Sequence, residues 1–194
     1  MNSIKLSDNY TILRGKDSSF PSKKDKMLSI VEVNKKYANP TNDNSVWMEV
    51  KSEAFESVNS LIRYNIQVST GRKFSNYAEH YWIYTQTKGF NLEWMHQHLL
   101  VHPSGRTKIL TDYTFTYYIQ TPEDIEGDEG HIVFEDENKV RHKFLPEEGD
   151  WFIFPADIRH TAIPTPNSEL DRIVYAGSLC LDVYNQTENG KSLI

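Results

Sequence analysis

The chain has 194 residues, which is enough for one compact domain. Its 21 basic and 27 acidic side chains give a net charge of −6, and this negative charge argues against binding to nucleic-acid phosphates. The mean hydropathy is −0.60 and no apolar run reaches the roughly 18–20 residues of a membrane span, so we expect no membrane segment. The single cysteine, Cys180, excludes an internal disulfide and favours a reducing compartment, so we expect a cytoplasmic protein with one domain over residues 1–194.

The first third of the chain, residues 1–65, is predicted to be helical. Apolar residues recur at helical spacing over residues 24–38, and Pro40 ends this helix because the residue before a proline avoids the helical region. A second helix is predicted over residues 46–63, with Ser45 as its N-cap. Its apolar residues, spaced three and four apart, form one stripe: Trp47, Val50, Ala54, Phe55, Val58, Leu61 and Ile62. We interpret this part as a buttress that covers a sheet.

The rest of the chain, residues 66–194, has the pattern of β-strands. Short runs rich in aromatic and β-branched residues alternate with turn-forming residues. Six strands are predicted, at residues 81–85, 90–98, 112–119, 131–135, 150–154 and 172–181. Several short strands at regular spacing predict a sandwich, a jelly roll or a barrel.

Three histidines have a spacing that suits a metal site. His96 and His98 are two apart on the predicted strand 90–98, so their side chains share one face. His160, after the predicted strand 150–154, would add a third imidazole from a distant part of the chain. Three ligands on one face leave coordination positions open, which is typical of a catalytic metal. The alternative is that all three are ordinary surface or half-buried histidines.

Arg172 is a further candidate, because it opens the apolar run 172–181 twelve residues after His160. A guanidinium on a rigid strand pairs well with a carboxylate through two parallel hydrogen bonds. The alternative is a salt bridge to one of the acidic residues nearby.

Taken in order, these segments resemble the 2-oxoglutarate/Fe(II)-dependent oxygenases, most closely the prolyl-hydroxylase-like branch of bacteria and marine phages. The resemblance covers about residues 80–180. It is carried by Trp82-Ile83-Tyr84, His96-Gln97-His98, the Tyr-rich run 113–119, the run His-Ile-Val-Phe-Glu-Asp at 131–136, the run Gly-Asp-Trp-Phe-Ile-Phe-Pro at 149–155, His160, Pro164 and Arg172.

The resemblance implies a mainly β fold with N-terminal helices, a double-stranded β-helix of the cupin-like jelly-roll type. It also implies that His96, His98 and His160 bind Fe(II). Most of the superfamily has Asp or Glu where this chain has His98, so a three-histidine set would carry one negative charge less. Asp112, before the next strand, is the alternative third ligand.

The cosubstrate implied by the resemblance is 2-oxoglutarate, with its distal carboxylate on Arg172 and with Tyr113, Tyr117 and Tyr84 as further candidates to bind it. Ascorbate is an optional reductant. The implied activity is hydroxylation of a C–H bond in a peptide prolyl residue or a small molecule, with decarboxylation of 2-oxoglutarate to succinate. The partner is thus a small-molecule or peptide substrate, the oligomeric state is open, and a phage origin would place the protein in the host cytoplasm.

Two other functions fit the same residues. One is a cupin-like three-histidine metalloenzyme without 2-oxoglutarate, which His98 favours and Arg172 disfavours. The other is a non-catalytic jelly-roll binding or structural module with incidental histidines. The insert at residues 99–110 is interpreted as a lid over the metal or a long hairpin. Trp94 is expected to pack against the N-terminal helix, and His80 is expected at the surface.

Overall fold

A computed structural model describes residues 1–35, 45–49, 52–72, 74, 78–98, 100–101, 108–109 and 112–181. Its helices are α1 (Lys24–Lys35) and α2 (Glu56–Thr70). The strands in these residues are β1 (Asn2–Lys5), β2 (Thr11–Lys16), β3 (Ser45–Glu49), β4 (Ala78–Gln86), β5 (Leu100–Val101), β6 (Lys108–Ile109), β7 (Tyr113–Gln120), β8 (Ile132–Glu135), β9 (Arg141–Phe144), β10 (Asp150–Pro155), β11 (Arg159–Ala162) and β12 (Arg172–Cys180). Neither helix is long and apolar enough to cross a membrane.

The main sheet has seven antiparallel strands in the order β1-β2-β10-β7-β12-β4-β3. A smaller antiparallel sheet has the order β11-β8-β9, and β5 pairs with β6. The central strand of the main sheet is β7, and its neighbour β12 pairs with β7 on one side and with β4 over its full length on the other. This mainly β architecture, with crossovers between two sheets and helices on one side, confirms the predicted fold class.

The two faces of the main sheet have different partners. One face forms a core with the two helices, in which Met27 of α1 and Val58 and Ile62 of α2 are fully buried. The other face packs against the small sheet, where Phe152 of β10 and Phe134 of β8 belong to a second apolar cluster. Because side chains alternate along a strand, each central strand contributes every second residue to each face.

The first third of the chain is only partly helical, which corrects the sequence-based expectation. The strands β1 and β2 extend the main sheet beyond β10, and residues 45–49 form the edge strand β3 instead of the start of a helix. Backbone pairing of β3 with β4 outweighs the helical spacing of its apolar residues. The chain turns at Ser52, whose hydroxyl accepts a hydrogen bond from the Ala54 N–H, and α2 follows from Glu56 to Thr70.

Five of the six predicted β segments correspond to regular strands, namely β4, β7, β8, β10 and β12. The segment 90–98 does not, because only His96 forms a bridge there, paired with His160. The two-residue strands β5 and β6 and the short strands β9 and β11 were not predicted, since β9 and β11 consist mostly of polar residues without a β pattern. Such strands form where a neighbouring strand supplies the hydrogen bonds.

Candidate active site

The three predicted histidines come together in space. The side chains of His96, His98 and His160 each offer a ring nitrogen, and these nitrogens all lie within 4.8 Å of one another. The Nε2 atoms of His98 and His160 are 3.2 Å apart. The ring centroids of His96 and His160 are separated by 4.4 Å. This spacing suits three imidazoles that share one metal ion, with about 2.0–2.1 Å from each nitrogen to the metal.

Two of the rings are oriented by hydrogen bonds to main-chain carbonyls. The Nδ1 atom of His96 lies 3.0 Å from the Trp94 carbonyl oxygen, and Nδ1 of His160 lies 3.1 Å from that of Ile158. A carbonyl oxygen can only accept, so each Nδ1 carries the proton and donates it. The Nε2 atom is then left with its lone pair, which is the arrangement that metal-binding histidines use.

The backbone brings the two distant segments together. His96 and His160 exchange main-chain hydrogen bonds of 2.9 and 3.0 Å, and the His98 N–H donates to the Ala156 carbonyl at 3.0 Å. The turn at 156–158 after β10 therefore holds both His98 and His160. This explains why a segment without regular strand pairing still presents its histidines on one face.

Burial keeps the three imidazoles neutral at pH 7. It lowers the pKa of His98 to about 3, with the charges of His96 and His80 as further causes. Burial also lowers the pKa of His96, and it lowers that of His160 well below its usual range. A neutral imidazole is the form that binds a metal, so no proton has to leave before a metal enters.

Asp112, the alternative third ligand, is not part of this cluster. Its Oδ1 accepts a hydrogen bond from Arg72 Nη1 at 3.2 Å, and its Oδ2 accepts one from the Leu181 N–H at 2.7 Å. Its main-chain carbonyl accepts from the Ala156 N–H at 3.2 Å. Asp112 thus fastens the start of β7 to the end of β12 and to the histidine-bearing turn. This placement corrects its interpretation as a ligand.

The three imidazoles open into a cavity of about 520 Å³ between the main sheet and the residues around the small sheet. The main sheet contributes alternate residues of three strands: His80, Trp82, Tyr84 and Gln86 from β4, Thr114, Thr116 and Tyr118 from β7, and Arg172, Val174, Ala176 and Ser178 from β12. Trp82 contacts His98 with ring centroids 5.2 Å apart. Its partner on β12, Ala176, is four residues from Arg172, which is about 13 Å along a strand.

Arg172 lies inside this cavity and is only 2% exposed. Its contacts are long: Nη1 lies 3.4 Å from Gln86 Oε1 and 3.5 Å from the Ile163 carbonyl, and Nη2 lies 3.4 Å from the Tyr118 hydroxyl. The Nε atom has no hydrogen-bond partner in the part of the chain that the structure describes. Among the described residues Arg172 forms no ion pair, so the predicted alternative of a salt bridge to a nearby acid is not found there.

The tyrosines of β7 require a correction. Tyr113 and Tyr117 lie on the helix-covered face, where the Tyr117 hydroxyl donates to Asp17 at 3.0 Å. The tyrosine that faces Arg172 is Tyr118, one residue along. A shift of one residue exchanges the faces of a strand. The alternation of threonine with aromatic residues along β7 was the available signal, because Thr114 and Thr116 mark the cavity face.

Three other cavity residues were missed or placed elsewhere. Gln86 shares a register position with Arg172 across β4 and β12. His80 is half-buried in the cavity wall rather than at the outer surface, and Trp94 lines the cavity instead of packing against a helix. Even spacing along the chain was the sequence signal, because His80 and Gln86 are two and four residues from Trp82, and Trp94 is two residues from His96. The insert 99–110, interpreted as a lid or hairpin, lies outside the described residues apart from the paired backbones of β5 and β6.

The fold of this chain is similar to those of several solved structures. A prolyl-4-hydroxylase from Pseudomonas putida is similar with a TM-score of 0.61 at 12% identity, over 86% of this chain and 91% of that one. A viral collagen prolyl hydroxylase from Paramecium bursaria Chlorella virus-1 gives 0.60 at 16% identity, over 86% and 94%. A prolyl hydroxylase from Trichoplax adhaerens gives 0.63 at 11% identity, over 88% and 83%. The chain has the fold of the 2-oxoglutarate/Fe(II) oxygenases.

Within this oxygenase fold the match rests on structure, since the sequence matches no protein-family model and no curated protein. The sequence identities to the similar solved structures are only 9–16%, so the roles of the side chains in this chain follow from their own geometry. That geometry joins three neutral imidazoles and one buried guanidinium in a single cavity.

Proposed function

We propose that this protein is a 2-oxoglutarate- and Fe(II)-dependent dioxygenase that hydroxylates a C–H bond of its substrate. The observation that carries this proposal is the buried Arg172, which has no acidic partner among the described residues and shares its cavity with three converging histidines. A buried guanidinium without a counter-ion is costly, so the site is incomplete until an anion enters.

The donor set fits a divalent transition metal. His96, His98 and His160 would hold Fe(II) through their unprotonated nitrogens, and imidazole is a suitable ligand for iron. Three ligands from one side leave room for a chelating cosubstrate and for O₂. When bound, Fe(II) with 2-oxoglutarate and O₂ supplies the oxidising power for C–H hydroxylation, and 2-oxoglutarate leaves as succinate and CO₂.

Arg172 would bind the distal carboxylate of 2-oxoglutarate. The unpartnered Nε and the weakly engaged Nη atoms form the fork that pairs with a carboxylate through parallel hydrogen bonds. The Tyr118 hydroxyl and the Gln86 amide lie beside this fork and would complete the anion site. A keto acid spanning from this end to the histidines would lie over Val174, between the rows of Arg172 and Ala176.

Similar solved structures support this arrangement. The viral collagen prolyl hydroxylase was solved as a 2-oxoglutarate complex, and another similar protein, from Streptomyces hygroscopicus, with nickel and 2-oxoglutarate bound. The Trichoplax adhaerens enzyme was solved with a peptide fragment. A peptide prolyl residue or a small molecule is accordingly the proposed substrate of this chain, with ascorbate as an optional reductant.

The second candidate function is a three-histidine metalloenzyme that uses no 2-oxoglutarate. His98 favours it, because most 2-oxoglutarate/Fe(II) oxygenases have Asp or Glu at the position of this residue. The buried Arg172 favours the oxygenase, since a metalloenzyme without an anionic cosubstrate would have no use for an unpaired cation. A non-catalytic module is the third alternative. It does not explain why ring nitrogens of His96, His98 and His160 lie within 4.8 Å of one another.

Turnover of 2-oxoglutarate tests the proposal. With Fe(II) and ascorbate, we expect the protein to form succinate, and His160→Ala to abolish it. Arg172→Ala removes a charge-assisted pair worth about 1.5–3 kcal/mol. We therefore expect the KM for 2-oxoglutarate to rise roughly 10- to 150-fold. Succinate released into solution is the quantity to be measured.

Lys5→Ala is the matched control for loss of one positive charge, because Lys5 is exposed on β1 and its one ion pair within the described residues is with Asp8. This variant should keep the KM of the parent protein. An Arg172→Ala protein with an unchanged KM would refute the assignment of the anion site. Iron-independent turnover would refute the assignment of the metal ligands.

A further inference from the structure

We infer that the part of the substrate that enters the cavity is electrically neutral and largely apolar, and that Trp94 is the surface that selects it. This inference rests on the proposed function, since it concerns the substrate of the same site. It follows from three features of the cavity wall: an apolar stripe beside the histidines, the absence of a second charge in the described wall, and an unpartnered buried hydroxyl.

The stripe lies on the segment that carries two of the histidines. Phe90, Leu92 and Trp94 line the cavity, and His96 and His98 follow at the same spacing of two residues. Side chains two apart in an extended segment share a face. A group that rests on this stripe therefore lies next to two of the three imidazoles, where oxidation would occur.

The exposure of the stripe increases towards the histidines. Phe90 is 2% exposed, Leu92 is 50% exposed and Trp94 is 67% exposed. The indole of Trp94 stacks on the His96 ring with centroids 4.9 Å apart and planes 22° apart, so it lies directly beside one of the three imidazoles. An exposed indole beside a concave apolar wall is the kind of anchor that binding sites use.

The charge of the wall restricts what can bind. Arg172 is the only lysine, arginine, aspartate or glutamate among the cavity residues that the structure describes. The proposed function assigns this one cation to 2-oxoglutarate. A charged group of the substrate would then lose its water without gaining a partner, which is unfavourable. Zwitterionic, acidic and basic groups are therefore disfavoured.

One hydrogen-bonding group of the substrate is also indicated. The Thr114 side chain is fully buried in the cavity wall, and its Oγ1 has no hydrogen-bond partner among the residues that the structure describes. Ser178 lies directly opposite on β12 and faces the same cavity. Buried hydroxyls are normally satisfied, so an amide or hydroxyl of the substrate would complete this pair. The substrate class is thus a neutral aliphatic or cyclic group with one amide or hydroxyl beside it.

Binding and turnover of matched probes test this inference. The neutral probes are N-acetyl-leucinamide and N-acetyl-prolinamide. The charged probes are free leucine, free proline, N-acetyl-aspartamide and N-acetyl-lysinamide. Binding is measured by ligand-observed NMR on the full chain saturated with 2-oxoglutarate, without O₂, and stimulation of succinate formation is measured separately. We expect the neutral probes to bind roughly tenfold more tightly than the charged ones.

Variants of Trp94 show whether this residue selects the substrate. We expect Trp94→Ala to weaken the binding of the neutral probes roughly tenfold and Trp94→Phe to weaken it by roughly threefold or less. The control is Tyr64→Ala, which removes an aromatic ring of similar exposure, 63%, from α2. This variant should bind every probe as the parent protein does.

The inference is overturned if the charged probes bind as tightly as the neutral ones or more tightly. It is also overturned if neither neutral probe binds, or if Trp94→Ala binds the neutral probes with unchanged affinity. Binding needs no turnover, so the two proposals fail separately. A protein that binds the neutral probes through Trp94 but forms no succinate would uphold the docking surface and contradict the oxygenase activity.

Discussion

At the scale of single residues, the cavity combines groups that are unfavourable to bury alone. Arg172 is a buried cation without an acidic partner in the described residues, and the three histidines are held neutral by burial. Both features reduce the stability of the empty protein and become favourable when an anion and a metal bind. Buried charged groups and groups with strongly shifted pKa values are common at functional sites.

The pH dependence of stability follows from these histidines. Their pKa in the unfolded chain is about 6.5, whereas that of folded His98 is about 3. Below about pH 6.5 the unfolded chain takes up protons that the folded protein does not, so the free energy of unfolding falls as the pH falls. Each such group contributes up to about 1.4 kcal/mol per pH unit.

We therefore expect the urea-unfolding free energy of the metal-free protein to decrease from about pH 7 to about pH 5, above the range where carboxylates titrate. His98→Gln should decrease less steeply, because one of the groups is gone. An equally steep or a flat profile in both proteins would count against three buried neutral imidazoles.

Asp112 provides a test that separates a ligand from a structural group. Asp112→Ala removes the acceptor of Arg72 and of the Leu181 N–H, so we expect a loss of about 1.5–3 kcal/mol in unfolding free energy. The metal content of the folded variant, measured by elemental analysis, should stay at one per chain. Loss of the metal at unchanged stability would restore Asp112 as a ligand.

At the scale of elements, the register of β7 decides which tyrosine takes part in function. Tyr117 belongs to the helix-covered core and donates to the buried Asp17, whereas Tyr118 faces Arg172. Burial together with the Asp17 carboxylate raises the pKa of Tyr117, so its hydroxyl remains a donor at any pH of interest. Two adjacent residues with the same side chain therefore have different roles.

Tyr117 and Tyr118 allow a matched experiment, because each hydroxyl can be removed by the same change to phenylalanine. Tyr118→Phe removes a neutral hydrogen-bond donor from the anion site, so we expect the KM for 2-oxoglutarate to rise roughly two- to tenfold at unchanged stability. Tyr117→Phe should leave the KM unchanged and reduce the unfolding free energy by about 1 kcal/mol. The reverse pattern would show that the strand register is wrong.

The sequence predicted which runs form strands better than it predicted the secondary structure of the edge segment and the face on which each side chain lies. The runs that became β7, β10 and β12 were identified because they are apolar, β-branched and aromatic, and the ordered motifs implied the correct fold. The edge strand β3 was read as a helix, since its apolar spacing fits both structures and only the pairing with β4 decides between them. The face of Tyr117 was misassigned for a similar reason, because register depends on partners distant in sequence.

At the scale of the whole molecule, the main sheet separates two environments. The helices cover one face with an apolar core, whereas the other face packs partly against the small sheet and partly lines the cavity. The three histidines were predictable as a set, because two lie on one segment and the third has its place in the ordered motifs that carry the family resemblance. The cavity wall was not, since it is assembled from alternate residues of three strands that meet only in the folded chain.

The central claim is that one metal ion and one 2-oxoglutarate share this cavity. Its most direct test is an anaerobic titration of the Fe(II)-loaded protein with 2-oxoglutarate, followed by visible absorption. We predict a new band that saturates at one equivalent per chain, is lost in His160→Ala and needs roughly tenfold or more 2-oxoglutarate in Arg172→Ala. A protein that binds Fe(II) but shows no spectral change, or that holds no Fe(II), would contradict the account.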